Sequence, residues 1–210
     1  RYYDAVVGTG NATGSAGASN GASSWDYDKE VVYPFGYGLS YTTFQQTLDD
    51  VQVNMDEKTV TAKVTVTNTG SVAGKHAAQL YVSIPYTDYD KKAGVEKSAI
   101  QLIGIAKTDE LKPGDDQQLT ITADLYDMAS WDVSAKDGKG GWILDGGDYC
   151  FVLAENAHAA VNSVLAAQGK GTEGDASMVS IKSIGSEGTV DESTLAKSKN
   201  GTEVTNQLAS

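Results

Sequence analysis

The chain has one cysteine, Cys150, so no internal disulfide can staple it. Its only histidines are His76 and His158, too few beside a single thiol for a zinc set. Sixteen basic residues stand against 28 acidic ones, a net charge of -12. That balance argues against nucleic acid as a partner, which needs a basic patch, and disfavours an anionic membrane surface. No run of 18 apolar residues occurs, so no segment reads as a membrane-spanning helix. Nor does a basic-then-apolar segment open the sequence in the manner of a signal peptide. Prolines number only 3, against 23 glycines and 11 tyrosines, a composition of strands and turns rather than a helical bundle. The abrupt opening on Arg1-Tyr2-Tyr3 is what a piece cut from a longer chain would show.

Three parts are legible. Residues 1–30 alternate Gly8, Gly10, Gly14, Gly17 and Gly21 with Ala, Ser, Asn and Thr. Such a stretch buries too little apolar area to offset its ordering entropy and reads as a flexible connector. Residues 31–155 alternate with a period of two. Val60, Ala62, Val64 and Val66 interleave with Thr61, Lys63, Thr65 and Thr67; Ala78, Leu80, Val82 and Ile84 interleave with Gln79, Tyr81 and Ser83. One face of each run is dry and the other wet. Ile100–Ile105 adds a third run, with Gly104 as a candidate bulge. Leu119, Ile121 and Ala123 add a fourth. Lys112-Pro113-Gly114-Asp115 is a turn, proline presetting φ and glycine accepting a positive one. Trp142–Leu144 and Tyr149–Leu153, joined by Asp145-Gly146-Gly147-Asp148, predict a hairpin. About seven short strands give an all-β, two-sheet antiparallel sandwich. In residues 156–210, Asn156 caps a short helix ending near Gly169, and an extended linker or tail follows. Cys150, in the apolar run Tyr149–Leu153, is expected to be a buried, inert thiol.

One string carries more than periodicity. Val32-Tyr33-Pro34-Phe35-Gly36-Tyr37-Gly38-Leu39-Ser40-Tyr41-Thr42-Thr43-Phe44 resembles the motif that opens the fibronectin-III-like domain of family 3 glycoside hydrolases. Further matches follow in family order: Val66-Thr67-Asn68-Thr69-Gly70, Gln79-Leu80-Tyr81-Val82, Leu102–Lys107, Leu111-Lys112-Pro113-Gly114, Trp131-Asp132 and Gly147-Asp148-Tyr149. Arg1-Tyr2-Tyr3-Asp4 resembles the end of a preceding α/β domain. Asn156–Asn162 and Thr202–Gln207 resemble a bacterial subset with reversed domain order, although Leu208-Ala209-Ser210 departs from its acidic run.

The resemblance implies a fibronectin-III/immunoglobulin-like sandwich. It also implies a parent that hydrolyses terminal β-D-glucosides or xylosides with retention. Retention needs two carboxyl groups about 5 Å apart. In the family these sit on a barrel and an α/β domain, and neither motif occurs here, so no catalytic residue is carried over. The implied partners are those two domains of the same parent chain and its oligosaccharide or β-glucoside substrate. Nothing calls for a cofactor or a metal.

Tyr33, Phe35, Tyr37 and Tyr41 combine large apolar area with polar tips and suit an interdomain interface; the alternative is that they plug the sandwich end. The loop Pro85–Lys97, with Tyr86 and Tyr89, is the candidate for contact with an active-site rim. A second reading is a carbohydrate-binding sandwich with tyrosines stacked on sugar rings. Asp88 and Asp90, before Gly94, and Asp145 and Asp148, around a glycine pair, are expected to be solvated turn carboxylates. Gly8–Gly14 lacks the glycine spacing and the preceding strand of a dinucleotide loop. Asn11-Ala12-Thr13 and Asn200-Gly201-Thr202 are glycosylation sequons, relevant only on a eukaryotic secretory route.

Overall fold

The computed structural model describes residues 31–138, 140–171, 173–185, 200 and 202–203. The expected connector at 1–30 and most of the far tail lie outside them. Nine strands are described: β1 Phe44–Asn54, β2 Thr59–Asn68, β3 Ala77–Ser83, β4 Gln101–Lys107, β5 Asp116–Asp124, β6 Ser130–Asp132, β7 Gly141–Ile143, β8 Gly147–Ala154 and β9 Val179–Ile184. Three α-helices accompany them: α1 Asp88–Ala93, the single turn α2 Ala135–Gly138, and α3 Ala157–Ala167. One sheet has the order β1-β2-β5, the other β4-β3-β8-β9, and β6-β7 form a small ribbon. Every pairing of named strands is antiparallel.

Alternation decides what faces where. Val60, Ala62, Val64 and Val66 of β2 are completely buried, and with Ile121 they meet Leu80, Val82, Phe151 and Leu153 across the sandwich. The intervening residues of β3 and β8, Tyr81, Cys150, Val152 and Ala154, face the other way. There α3 covers them with Ala160 and Val164. Asn156 caps this helix by accepting a hydrogen bond from the Ala159 N–H at 2.9 Å. Cys150 is buried between sheet and helix, and burial pushes its thiol pKa up, as an inert thiol requires.

The fourth strand carries the bulge expected near Gly104: Leu80 pairs with Gly104 and Tyr81 with Leu102, leaving Ile103 extra. A Cβ on Gly104 would lie 2.4 Å from the Ile121 methyl, so the facing sheets approach through this glycine. Gly114, with φ +85°, completes the turn that Pro113 begins.

Two expectations need correction. The predicted hairpin between Trp142–Leu144 and Tyr149–Leu153 does not form. β7 pairs with β6, while β8 inserts between β3 and β9. The reason is burial: Leu144 and Asp145 go into the interior, so the chain crosses instead of turning back. The sheet also extends past Glu155, because β9 adds an edge strand to β8 within what reads as a linker. An edge strand exposed on one side alternates weakly, as Ile181 at 48% exposure shows. β1 lies inside the expected sandwich but is not singled out by alternation, because Gln and Asp residues interrupt its pattern; a bulge between Leu48 and Asp50 shifts its register.

Asn68 joins the loops at one end. Its side-chain amide donates to the carbonyls of Val72 at 2.8 Å and Leu111 at 2.9 Å, while its Oδ1 accepts from Thr42 Oγ1 and the Gly70 N–H. It is fully buried. Asn68→Ala is expected to cost about 2–3 kcal/mol, since it strands these carbonyls in the interior. Urea unfolding of the 210-residue chain would measure it; a loss below about 0.5 kcal/mol, the range of neutral surface changes, would contradict it.

Candidate functional site

Two surfaces of the sandwich carry the residues singled out from sequence. The first is the segment before β1. Val32, Tyr33, Phe35, Leu39 and Tyr41 are each at least two-thirds exposed, and Tyr37 is 45% exposed. They do not plug the sandwich end. Instead the backbone beneath them is pinned. Pro34 and Tyr37 close a turn with a 3.0 Å hydrogen bond, and the Ala157 N–H donates to the Phe35 carbonyl at 2.8 Å. Gln79 Nε2 donates to the carbonyls of Gly36 and Glu155, each at 2.9 Å. Gln79 Oε1 in turn accepts from the Tyr81 hydroxyl, whose pKa burial pushes up to about 12. The Tyr33 and Tyr37 rings lie 5.1 Å apart.

Gly36 makes this anchoring possible. Its φ is +88°, and a Cβ there would stand 2.3 Å from the Tyr81 hydroxyl and 2.5 Å from Gln79 Oε1. Gly36→Ala is expected to cost about 2 kcal/mol, from left-handed strain and the lost Gln79 contacts. A thermal midpoint unchanged from the parent sequence would argue against that.

The second surface is the end of the sandwich built from residues 85–97 and 145–148. The expected loop Pro85–Lys97 contains α1. Thr87 and Asp90 form a capping box at its start, and Gly94 ends it at φ +72°. Of the two rim candidates, Tyr86 faces outward at 52% exposure. Tyr89 turns in, packing against Val95, Ala135 and Ile143 and donating its hydroxyl to Asp132 Oδ2. Burial works against the Asp132 carboxylate. Hydrogen bonds from Tyr89, Ser134 and the Ala135 backbone outweigh it and hold the pKa below the ordinary value.

Sequence reasoning missed the centre of this end. Asp90 and Asp145 are not solvated turn residues; they are 0% and 3% exposed. Lys97 Nζ lies between them, 2.8 Å from Asp90 Oδ2 and hydrogen-bonded to Asp145 Oδ2, and also donates to the Pro85 carbonyl at 3.0 Å. Its side chain is 4% exposed. Among the described residues, Asp90 Oδ1 and Asp145 Oδ1 have no hydrogen-bond partner. Two buried carboxylates therefore share one ammonium. Burial, with help from neighbouring Asp90, pushes the Asp145 pKa up against the pull of Lys97. The Tyr149 hydroxyl closes the cluster by donating to the Asp145 carbonyl at 2.8 Å. Local sequence gave no sign of this, since the three partners are 7 and 48 residues apart. Asp88 and Asp148, by contrast, are exposed as expected.

The described residues contain no group of three or more His, Cys, Asp or Glu side chains placed to hold a metal. With the geometry established, comparison with known proteins decides the family. Residues 76–157 match the model of the fibronectin type III-like domain. The sandwich is a fibronectin type III-like domain. It is of the kind carried by family 3 glycoside hydrolases. The chain is 41% identical over 138 residues to β-glucosidase A of Butyrivibrio fibrisolvens, an alignment covering 60% of this chain and 16% of that protein. It is 37% identical over 131 residues to a β-glucosidase of Ruminococcus albus, covering 62% and 13% respectively. The solved structure of β-glucosidase 3B from Thermotoga neapolitana superposes with a TM-score of 0.55 at 26% identity, covering 79% of this chain and 19% of that one. This chain thus spans less than a fifth of each of these three proteins, and those relatives are larger multidomain chains.

Proposed function

We propose that this domain is the non-catalytic support module of a retaining β-glucosidase that removes terminal β-D-glucosyl or xylosyl units, and that its Tyr33–Tyr41 face docks on the catalytic domains of the same chain. One observation carries the docking. Six large apolar side chains, Val32 to Tyr41, stand exposed around a turn whose Phe35 and Gly36 carbonyls are pinned by Ala157 and Gln79. A free, solvated segment has no need of such anchoring, whereas an interface gains from aromatic groups already fixed in place. The relatives' larger size supplies room for the surface these rings would cover. On the same reading, Tyr86 on the loop containing α1 reaches towards the rim of the parent's active site.

The catalytic assignment is tested with aryl β-glucosides. The 210-residue chain is expected to release no nitrophenol from them, while the parent enzyme releases it readily. Turnover by the 210-residue chain alone would refute a supporting role.

A further inference from the structure

A cavity of about 730 Å³ opens beside the Lys97 cluster. Its walls include Tyr86, Asp88 and Lys91 on one side, with Asp148, Ser183 and the backbone of Gly146-Gly147 on the other. The floor is firm because Gly147 comes so near the loop that a Cβ there would meet Pro85 at 3.0 Å. Beneath, Lys97 ties the Pro85 carbonyl and Asp90 of the loop to Asp145 of the opposite segment.

The chemistry of these walls narrows the ligand. Lys91 is the one cation among the lining residues and already pairs with Asp88 at 2.8 Å, so an anion such as phosphate is disfavoured there. Two carboxylates and one ammonium leave the walls with one net negative charge. The apolar lining is limited to Pro85, Tyr86 and Tyr89, and with Tyr89 turned inward only the Tyr86 ring stands well exposed, too little for a lipid or a hydrophobic peptide. What the walls do offer is hydrogen-bond capacity. Asp148 Oδ1 accepts from Ser183, and Asp88 Oδ1 from Lys91. Among the described residues, the Oδ2 atoms of both aspartates and the Tyr86 hydroxyl are not engaged. One flat ring beside two acceptor oxygens on a glycine-lined floor matches a pyranose, which has an apolar face and a rim of donating hydroxyls.

We infer that the groove between Tyr86 and Asp148 is a binding site for a neutral oligosaccharide, with the Tyr86 ring against one sugar face and the Asp88 and Asp148 carboxylates accepting from its hydroxyls. The inference rests on the groove itself and is independent of the parent's catalytic identity; the nitrophenol assay does not read it.

The test titrates the 210-residue chain with cellotetraose, xylotetraose and maltotetraose by NMR and calorimetry. At least one is expected to bind with a Kd of about 1 mM or tighter. Tyr86→Ala should weaken that binding roughly tenfold or more by removing the stacking face, and Asp148→Asn roughly threefold by weakening its acceptor. Both side chains are exposed, so neither change should move the thermal midpoint. Absence of binding for all three sugars up to about 10 mM would overturn the inference. So would undiminished binding by Tyr86→Ala, which would place the sugar elsewhere, or displacement of the sugar by inorganic phosphate.

Discussion

Lys97→Met is expected to destabilise the domain by about 3–5 kcal/mol, because it leaves two carboxylates buried without a counter-charge. Lys97 is 4% exposed and its partners are equally dry, so water cannot take its place cheaply. The triad's net worth is a separate matter, since the interior must desolvate three charges to form it. The combination Asp90→Asn, Lys97→Met and Asp145→Asn should therefore recover at least about half of the loss, as no charge then remains buried. The loss should also depend on pH. In the native protein the Asp145 pKa already lies above its ordinary value. A carboxyl with a raised folded pKa contributes its full stability below the unfolded value, about 3.9, and loses it as pH rises through the folded one. Without Lys97 that pKa rises further. The variant should consequently be weakest near neutrality and approach the native protein as the solution is acidified. Urea denaturation at several pH values would show this, and a pH-independent loss would point to packing alone.

Phe35→Ala should separate the domain from its parent. In the 210-residue chain Phe35 is 67% exposed, so the change is expected to stay within about 0.5 kcal/mol. In the whole enzyme, where the docking proposal buries the ring completely, the same substitution should cost roughly 3–5 kcal/mol. Calorimetric scans of the two proteins side by side would decide it. An unchanged melting temperature in the whole enzyme would sink the docking claim. Equal losses in both would mean that the ring supports the sandwich and not a partner.

The sandwich was largely legible in the sequence because its signal is local. Strict alternation in Val60–Val66 and Ala78–Ile84 fixes which side chains face the core, and a one-residue slip would expose all of them. The Pro113-Gly114 turn, the bulge beside Gly104 and the Asn156 cap depend on the backbone preferences of the residues present, and each was found in place. Strand pairing was less legible. Trp142–Leu144 and Tyr149–Leu153 look like two arms of a hairpin, yet burial of Leu144 and Asp145 sends them to different sheets. β9 went unread because an edge strand needs only one good face.

Of the candidate surfaces, the sequence by itself singled out the aromatic residues Tyr33 to Tyr41 and Tyr86 as candidates, because clustered large side chains with polar tips stand out in a polar or glycine-containing segment. Only the tertiary structure decided that the first group faces solvent on a pinned backbone, that Tyr89 turns inward to Asp132, and that Asp90 and Asp145 close on Lys97. The physical reason is range. Periodicity and turn chemistry act over a few residues, whereas a buried charge is set by which distant segment the folded sheets bring against it. The sequence contains Asp145 and Lys97 as ordinary loop residues; 48 positions apart, they meet only when β3 and β8 pair.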